Sequence, residues 1–298
     1  MTKGKRSMKF RAHETFSIRK GWLSKGMKQV VKDPSVFVSK EYNPMDVLGI
    51  GSNMVKSLRY WLPAVGLSES PKGKSAQYLT EFGEIVYKND PYIEEIGTLW
   101  LLHYNLVKQQ DVATSWFFFF NHFQLSEFSK EDFTIALANY AKMNGGGEPP
   151  VRSLDDDFNC IINTYMPRYK TAPTKDDPES NMDCPLSELG LIDYCNRKEK
   201  TYKKAIPAAH TIDPLSALAI IVDNSNGRKE IPLAEIQNKQ GNLGKVFNLD
   251  AITLLLILNA AEREGYVEVV RTAGLDQLHI TQELSFLECV RLYYEKLS

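Results

Sequence analysis

Asn43-Pro44-Met45-Asp46-Val47-Leu48-Gly49-Ile50-Gly51-Ser52-Asn53-Met54-Val55-Lys56-Ser57-Leu58-Arg59-Tyr60-Trp61-Leu62-Pro63 is the stretch on which the reading of the fold turns. Pro44 suits the first turn of a helix, where its missing N–H costs nothing, and Met45, Val47, Leu48 and Ile50 give that helix an apolar side. Gly49 and Gly51 interrupt it, and Ser52 is a good N-cap for a second helix over 53–62. On a 3.6-residue wheel, Met54, Val55, Leu58, Trp61 and Leu62 share one side. Asn53, Lys56, Ser57 and Tyr60 share the other, with Arg59 flanking. Pro63 and Gly66 stop the helix. Two helices joined by a glycine-bearing turn, the second with a polar face, form the helix-turn-helix pattern. The polar face has the chemistry of a recognition helix. Asn53 suits adenine, Lys56 and Arg59 suit guanine or phosphate, and Ser57 and Tyr60 suit phosphate.

Downstream, Lys72-Gly73-Lys74 sits in a loop before a β-compatible 77–80, and Thr80 can cap a helix starting at Glu81. A basic, glycine-bearing hairpin after the recognition helix is where a wing would sit, its lysines reaching flanking phosphate. Upstream, a helix is expected over 20–32, ended by Asp33-Pro34 because the residue before proline avoids the α region. Residues 10–16 read as a short extended segment with Arg11, His13 and Thr15 on one side. Residues 1–74 hold 15 Lys and Arg against 5 Asp and Glu, whereas the remainder holds 21 against 32, although the whole chain nets −1. A basic front on an acidic remainder points to a polyanion partner for the front. A solvated basic face without a ligand is the bland alternative.

The expected fold class is α+β and mostly helical. An N-terminal winged helix-turn-helix over 1–92 is followed by a helical middle domain over 93–168, a linker over 169–184, and a C-terminal winged-helix-like domain over 185–298. In the middle, 94–107 reads as an apolar helix, 113–123 as a helix buried all round, and 130–143 as a helix capped by Ser129. His103 and His122 are expected as packed residues rather than metal ligands. A further helix is expected to start at Ser153, its Asp155, Asp156 and Asp157 favouring the helix dipole from the first turn. The last portion shows an apolar 214–223, a short helix over 232–237, an amphipathic helix over 250–264, and a hairpin of 266–270 with 275–280. Its acidity over 262–268 suits a protein partner better than DNA.

The composition is 43% hydrophobic and 24% charged, ordinary for a globular protein. The apolar runs fall well short of the roughly 18 residues a membrane span needs. The start carries no secretory signal pattern, and four cysteines without a CxxC pair suit reduced thiols, so a cytoplasmic location is expected. GxxxxGK[ST], GxGxxG after a strand, HExxH and GxSxG are all missing from the sequence. The densest group of acid–base and phosphate-binding side chains is His13 with Glu14 and Arg11, beside Arg19 and Lys20. There His13 suits a general base and the cations suit a developing phosphorane charge. Equally, Glu14 can pair with Arg19 or Lys20 as a scaffold contact. Should the chain cut DNA, Mg²⁺ or Mn²⁺ is the expected cofactor, its ligands unknown.

Phe10-Arg11-Ala12-His13-Glu14-Thr15-Phe16 with Arg19-Lys20-Gly21-Trp22-Leu23, the stretch 48–62 quoted above, Thr98-Leu99-Trp100-Leu101-Leu102-His103-Tyr104, Cys184-Pro185-Leu186 and Thr272-Ala273-Gly274-Leu275 together resemble a bacterial family long of unknown function. Its members are encoded beside DNA phosphorothioation genes, whose other products include a cysteine desulfurase and a sulfur-transfer ATPase. The SspB type of the family is a DNA-nicking component of that modification and defence system. The resemblance spans essentially the whole chain except 169–181. It implies a protein acting on double-stranded DNA with those sulfur-transfer proteins as partners, and no residue-level catalytic assignment comes with it. The expected function is therefore a DNA-binding, DNA-nicking component of phosphorothioation-based phage defence. The alternative is a non-enzymatic winged-helix regulator, which would act as a homodimer, or an assembly adaptor.

Overall fold

In the computed structural model, residues 8–167, 183–272 and 275–298 are described. The expected linker falls outside them except for Asp183 and Cys184, as does the Ala273-Gly274 turn. The fold is α+β and mostly helical. Its centre is set by a stretch that is apolar on every side: α5 (Ile96–Lys108) is buried from Gly97 through Val107. α6 (Thr114–Asn121) is buried at every residue. Helices apolar all round have nowhere to go but inside, and the other elements wrap these two. Before them come α1 (Trp22–Lys32), α2 (Pro44–Leu48), α3 (Ser52–Ala64), the paired β1 (Ser68–Glu69) and β2 (Tyr78–Leu79), and α4 (Glu81–Asn89). After them come β3 (Glu127–Phe128), α7 (Lys130–Met143) and α8 (Val151–Tyr165).

The last portion holds β4 (Ile192–Asn196), β5 (Thr201–Lys204), α9 (Pro214–Ser225), β6 (Glu230–Pro232), α10 (Leu233–Asn238) and α11 (Leu243–Val246). It ends with α12 (Ala251–Arg263), β7 (Val267–Thr272), β8 (Leu275–Ile280) and α13 (Phe286–Leu297). Among the described residues two antiparallel three-stranded sheets form, in the orders β3-β5-β4 and β6-β8-β7. The first joins distant parts of the chain, with Phe128 opposite Tyr202. Buried side chains make one connected core from Ile18 to Tyr294, crossing all the expected segments. At its edge Tyr293 lies so close to Gly97 that a Cβ there would sit 2.3 Å from the ring.

Capping follows the sequence at several ends. Ser129 and Asp132 form a capping box on α7, Thr80 accepts from Gly83 N–H at α4, and Asp250 accepts from Thr253 N–H at α12. Other boundaries differ. Gly51, not Ser52, is the N-cap of α3, and Pro63 lies inside its last turn. α8 starts at Val151 behind Pro150, two residues before Ser153, so Asp155 to Asp157 lie beyond its first turn. Residues 10–16 are not extended. They turn on themselves, with Arg11, Glu14 and Thr15 at φ 58, 51 and 69, and Phe16 N–H returns to the His13 carbonyl at 2.9 Å.

His103, at the centre of α5, is fully buried as expected. The Val246 carbonyl, 2.7 Å from Nε2, can only accept, so Nε2 carries the proton. Nδ1 then accepts from the Tyr165 hydroxyl at 2.7 Å. Burial lowers the His103 pKa from 6.5 to about 3, outweighing the Val246 bond that raises it. Between those values the unfolded chain binds a proton that the folded chain does not. This contribution to stability is therefore complete above pH 6.5 and is lost as pH falls toward 3. Urea unfolding from pH 7 to 4 should show an extra slope of about 1.4 kcal/mol per pH unit that disappears in His103→Gln; an identical slope in the variant would refute the assignment.

Candidate nucleic-acid interface

The amino-terminal turn is tied down from α8. Asp157 is 1% exposed and lies on the wheel with Leu154, Phe158 and Ile161, the inward face of that helix. Its carboxylate accepts the Arg11 N–H at 2.8 Å, the His13 ring at 2.7 Å, and the Ser115 hydroxyl of α6 at 2.5 Å. Thr15 N–H donates to His13 Nδ1 at 3.1 Å, so His13 Nε2 holds the proton that goes to Asp157. The imidazole, 0% exposed, lies between Trp61 and Trp116, at 6.1 and 5.5 Å between ring centroids. Three left-handed residues cost on the order of 1–2 kcal/mol each, and these contacts hold them. Outside the core, Arg11 Nε pairs with Asp156 at 2.8 Å, and Glu14 is half-buried.

α2 and α3 are joined through Gly49, left-handed at φ 62, whose N–H returns to the Met45 carbonyl at 2.7 Å. Lys25 of α1 donates to the Leu48 carbonyl at 2.9 Å and braces the turn. α1 approaches α3 closely at Gly26, where a Cβ would lie 2.9 Å from Leu62. The apolar wheel of α3 is as expected: Val55, Leu58, Trp61 and Leu62 are buried. The polar wheel divides. Asn53 and Lys56 are exposed on the first turns, 3.4 Å apart.

Ser57, by contrast, is 0% exposed and donates to the Phe16 carbonyl, which also receives the Trp61 indole N–H at 2.9 Å. Tyr60 is turned to the Val112 carbonyl at 3.2 Å. The side read as wholly outward is covered in part by the amino-terminal turn and by the end of the α5–α6 connection. Arg59 is half-exposed. It donates to the Ser75 carbonyl at 3.3 Å, while its own carbonyl accepts from Gln77. It thus fastens the β1–β2 loop, which carries exposed Lys72 and Lys74, to α3.

Arg19 and Lys20 lie elsewhere, lining a cleft of about 200 Å³ with Tyr92, Glu94 and Glu188. The Arg19 guanidinium stands 5.6 Å and 5.5 Å from the Phe16 and Trp22 rings. Exposed cations beside an exposed Asn53, on a braced helix and loop, suit contact with a phosphate backbone and an adjoining base edge. Asp157 and Ser115 were not among the expected site residues. Two signals pointed to them: a serine in a helix apolar all round, and an aspartate at the i+3 position from Leu154 and i−4 from Ile161.

Residues 10–294 match the family described as "Protein of unknown function (DUF4007)". The chain belongs to this family. No curated protein matches it. A solved structure described as "Magnesium ion-bound SspB crystal structure" superposes with a TM-score of 0.80 at 25% identity, over 97% of this chain and 86% of the other. One described as "SspB crystal structure" gives 0.80 at 25% identity, over 98% and 88%. The DUF4007 chain is thus of the SspB type along nearly its whole length. The magnesium belongs to that other structure. Among the described residues here, no group of three or more His, Cys, Asp or Glu is placed to hold a metal ion. The consecutive aspartates of α8 are engaged by protein donors: Asp155 by Thr134, Asp156 by Arg11, and Asp157 as above.

Asp157→Ala should cost about 3–5 kcal/mol, because it orphans two buried donors, His13 and Ser115, and frees the Arg11 N–H. Limited proteolysis should then cut within residues 8–16 before the rest of the chain opens. A loss under about 1 kcal/mol in urea unfolding would show that the turn does not depend on this carboxylate.

Proposed function

We propose that this chain binds double-stranded DNA through α3 and the β1–β2 loop, as a component of a phosphorothioation-based DNA modification and phage-defence system. The observation that carries the reading is the exposed Asn53 and Lys56 at the start of α3, with Lys72 and Lys74 on a loop fastened to the same helix by Arg59. The order α1, α2, α3, β1, β2 supports reading a winged helix, with α3 as recognition helix and the loop as wing. The charge of residues 1–74 supports it, and the SspB-type fold supports the system to which it is assigned. A cysteine desulfurase and a sulfur-transfer ATPase are the partners this reading implies. The order α9, β6, α10, α11, α12, β7, β8, with the strands side by side as β6-β8-β7, supports reading a second winged helix there. With Glu262, Glu264 and Glu268 exposed, that copy is assigned to protein contact.

The test is a binding titration of a 30-base-pair duplex at several salt concentrations. Lys56→Ala combined with Lys72→Ala and Lys74→Ala should weaken binding at least tenfold, and should lower the slope of log affinity on log salt by up to about 0.9 per lost phosphate contact. Unchanged affinity and slope would remove this face from the reading.

A second reading, DNA nicking, is favoured by the magnesium in one similar structure. In it Arg11 would meet a phosphate, while Glu14 would face the reacting groups. His13, buried behind them, would position the turn. Supercoiled plasmid should then convert to open circles with Mg²⁺ or Mn²⁺ and not with EDTA. Plasmid that is retarded but left supercoiled would make the chain a binding module alone.

A further inference from the structure

α5 and α6 are apolar on every side and buried on every side. α12 shares the composition without the burial. From Ala251 to Ala261 every residue but Thr253 and Asn259 is apolar, yet the inward face takes only Leu254, Ile257, Leu258 and Ala261. On a 3.6-residue wheel Ile252, Leu256, Asn259 and Arg263 fall on the opposite side, within about 60° of one another. Ile252 is 71% and Leu256 54% exposed, with Leu255 and Ala260 half-buried beside them. The apolar surface continues past the start of the helix. Exposed Ile206 and Leu125 line one cavity with Asn248 and Leu249, which directly precede the Asp250 cap. An exposed apolar surface rimmed by charge marks a contact with another protein.

The charges at the two ends of the outward stripe indicate which protein. Arg263 closes α12, is exposed, and has no carboxylate partner among the described residues. Its neighbours are engaged elsewhere: Glu264 pairs with Lys296, and Glu262 accepts the Val269 N–H. Asp250 opens the helix, exposed, and accepts the Thr253 N–H. Leu256 lies midway between Asp250 and Arg263. Two such helices laid antiparallel, Leu256 against Leu256, bring Arg263 of each copy to Asp250 of the other and Ile252 of each to the other's Asn259 and Ala260. Each helix C-terminus then lies beside an N-terminus, which the helix dipoles favour. A twofold contact requires this self-complementarity, because one surface serves both sides; an unrelated partner requires no acid and base set evenly about the middle. We propose that α12 is the twofold interface of a homodimer, with Ile252 and Leu256 at its centre and an Arg263–Asp250 pair at each end. The proposal rests on the assignment of this unit to protein contact, names a second copy as the partner, and does not depend on DNA binding by α3.

Sedimentation velocity of the full chain across micromolar concentrations tests this. A monomer–dimer equilibrium is expected, and Leu256→Glu, which sets two carboxylates against each other on the twofold axis, should weaken it at least a hundredfold. Arg263→Glu should weaken it at least tenfold, whereas Arg263→Lys should retain it. Both positions are exposed, so circular dichroism of these variants should match that of the parent chain. Crosslinking reads the orientation. In a Cys195→Ser background, which removes the exposed native thiol, Leu256→Cys should form an intermolecular disulfide on air oxidation. Met143→Cys, at an exposed position on α7, should not. The triple lysine variant of the DNA face should dimerise as the parent does, so failure of one proposal is distinct from failure of the other. A chain that stays monomeric, a dimer indifferent to Leu256→Glu, or crosslinking no faster at Leu256 than at Met143 overturns the proposal. So does a monomer that binds the purified cysteine desulfurase and loses it in Leu256→Glu, which gives the face to that partner and leaves the assignment to protein contact standing.

Discussion

A carboxylate buried in a helical core costs several kcal/mol unless its oxygens are met by donors. Asp157 meets that condition only when three separate segments converge on it: the amino-terminal turn, the start of α6, and α8 itself. That requirement holds the turn of residues 10–16 in a backbone shape that its own residues disfavour. The turn in turn delivers the Phe16 carbonyl to Ser57 and Trp61, so the recognition-type helix is seated on a strand of chain that would otherwise be loose. The buried carboxylate thus reaches α3 through two steps of hydrogen bonding.

α5 plays the complementary part at the centre. Its length is apolar, and His103 converts the one polar position facing both α8 and α11 into a link, joining the Tyr165 hydroxyl to the Val246 carbonyl. Neutral imidazole does this at little cost, whereas imidazolium would leave Tyr165 without an acceptor. The same economy of polar groups holds at Thr98 and Gly97, which meet Tyr294 and Tyr293 of the last helix. Because the core is continuous, the proposed DNA face and the hairpin of β7 and β8 are parts of one packed body.

The mostly helical α+β class, the buried 113–123 helix, the caps at Ser129 and Thr80, and the hairpin near 267–280 were legible because each rests on local rules. Apolar periodicity, a side chain reaching its own helix end, and β-branched alternation all act within a few residues. The exposed Asn53 and Lys56 were legible for the same reason, since a helix wheel orders the side chains of one helix. The wheel could not say which part of its polar side another segment would cover. Ser57 is therefore inside, Tyr60 is half-buried and turned to the Val112 carbonyl, and Arg59 is spent partly on its own loop. Residues 10–16, read alone, favour an extended strand; the left-handed turn exists only because Asp157, some 140 positions later, accepts from it. The pairing of β3 with β5 is likewise long-range. Local sequence determines which elements form and which faces are apolar, because those energies are summed over neighbours in the chain. Which polar groups are exposed, paired or orphaned is decided by the tertiary structure, because their partners are brought together only when the core closes.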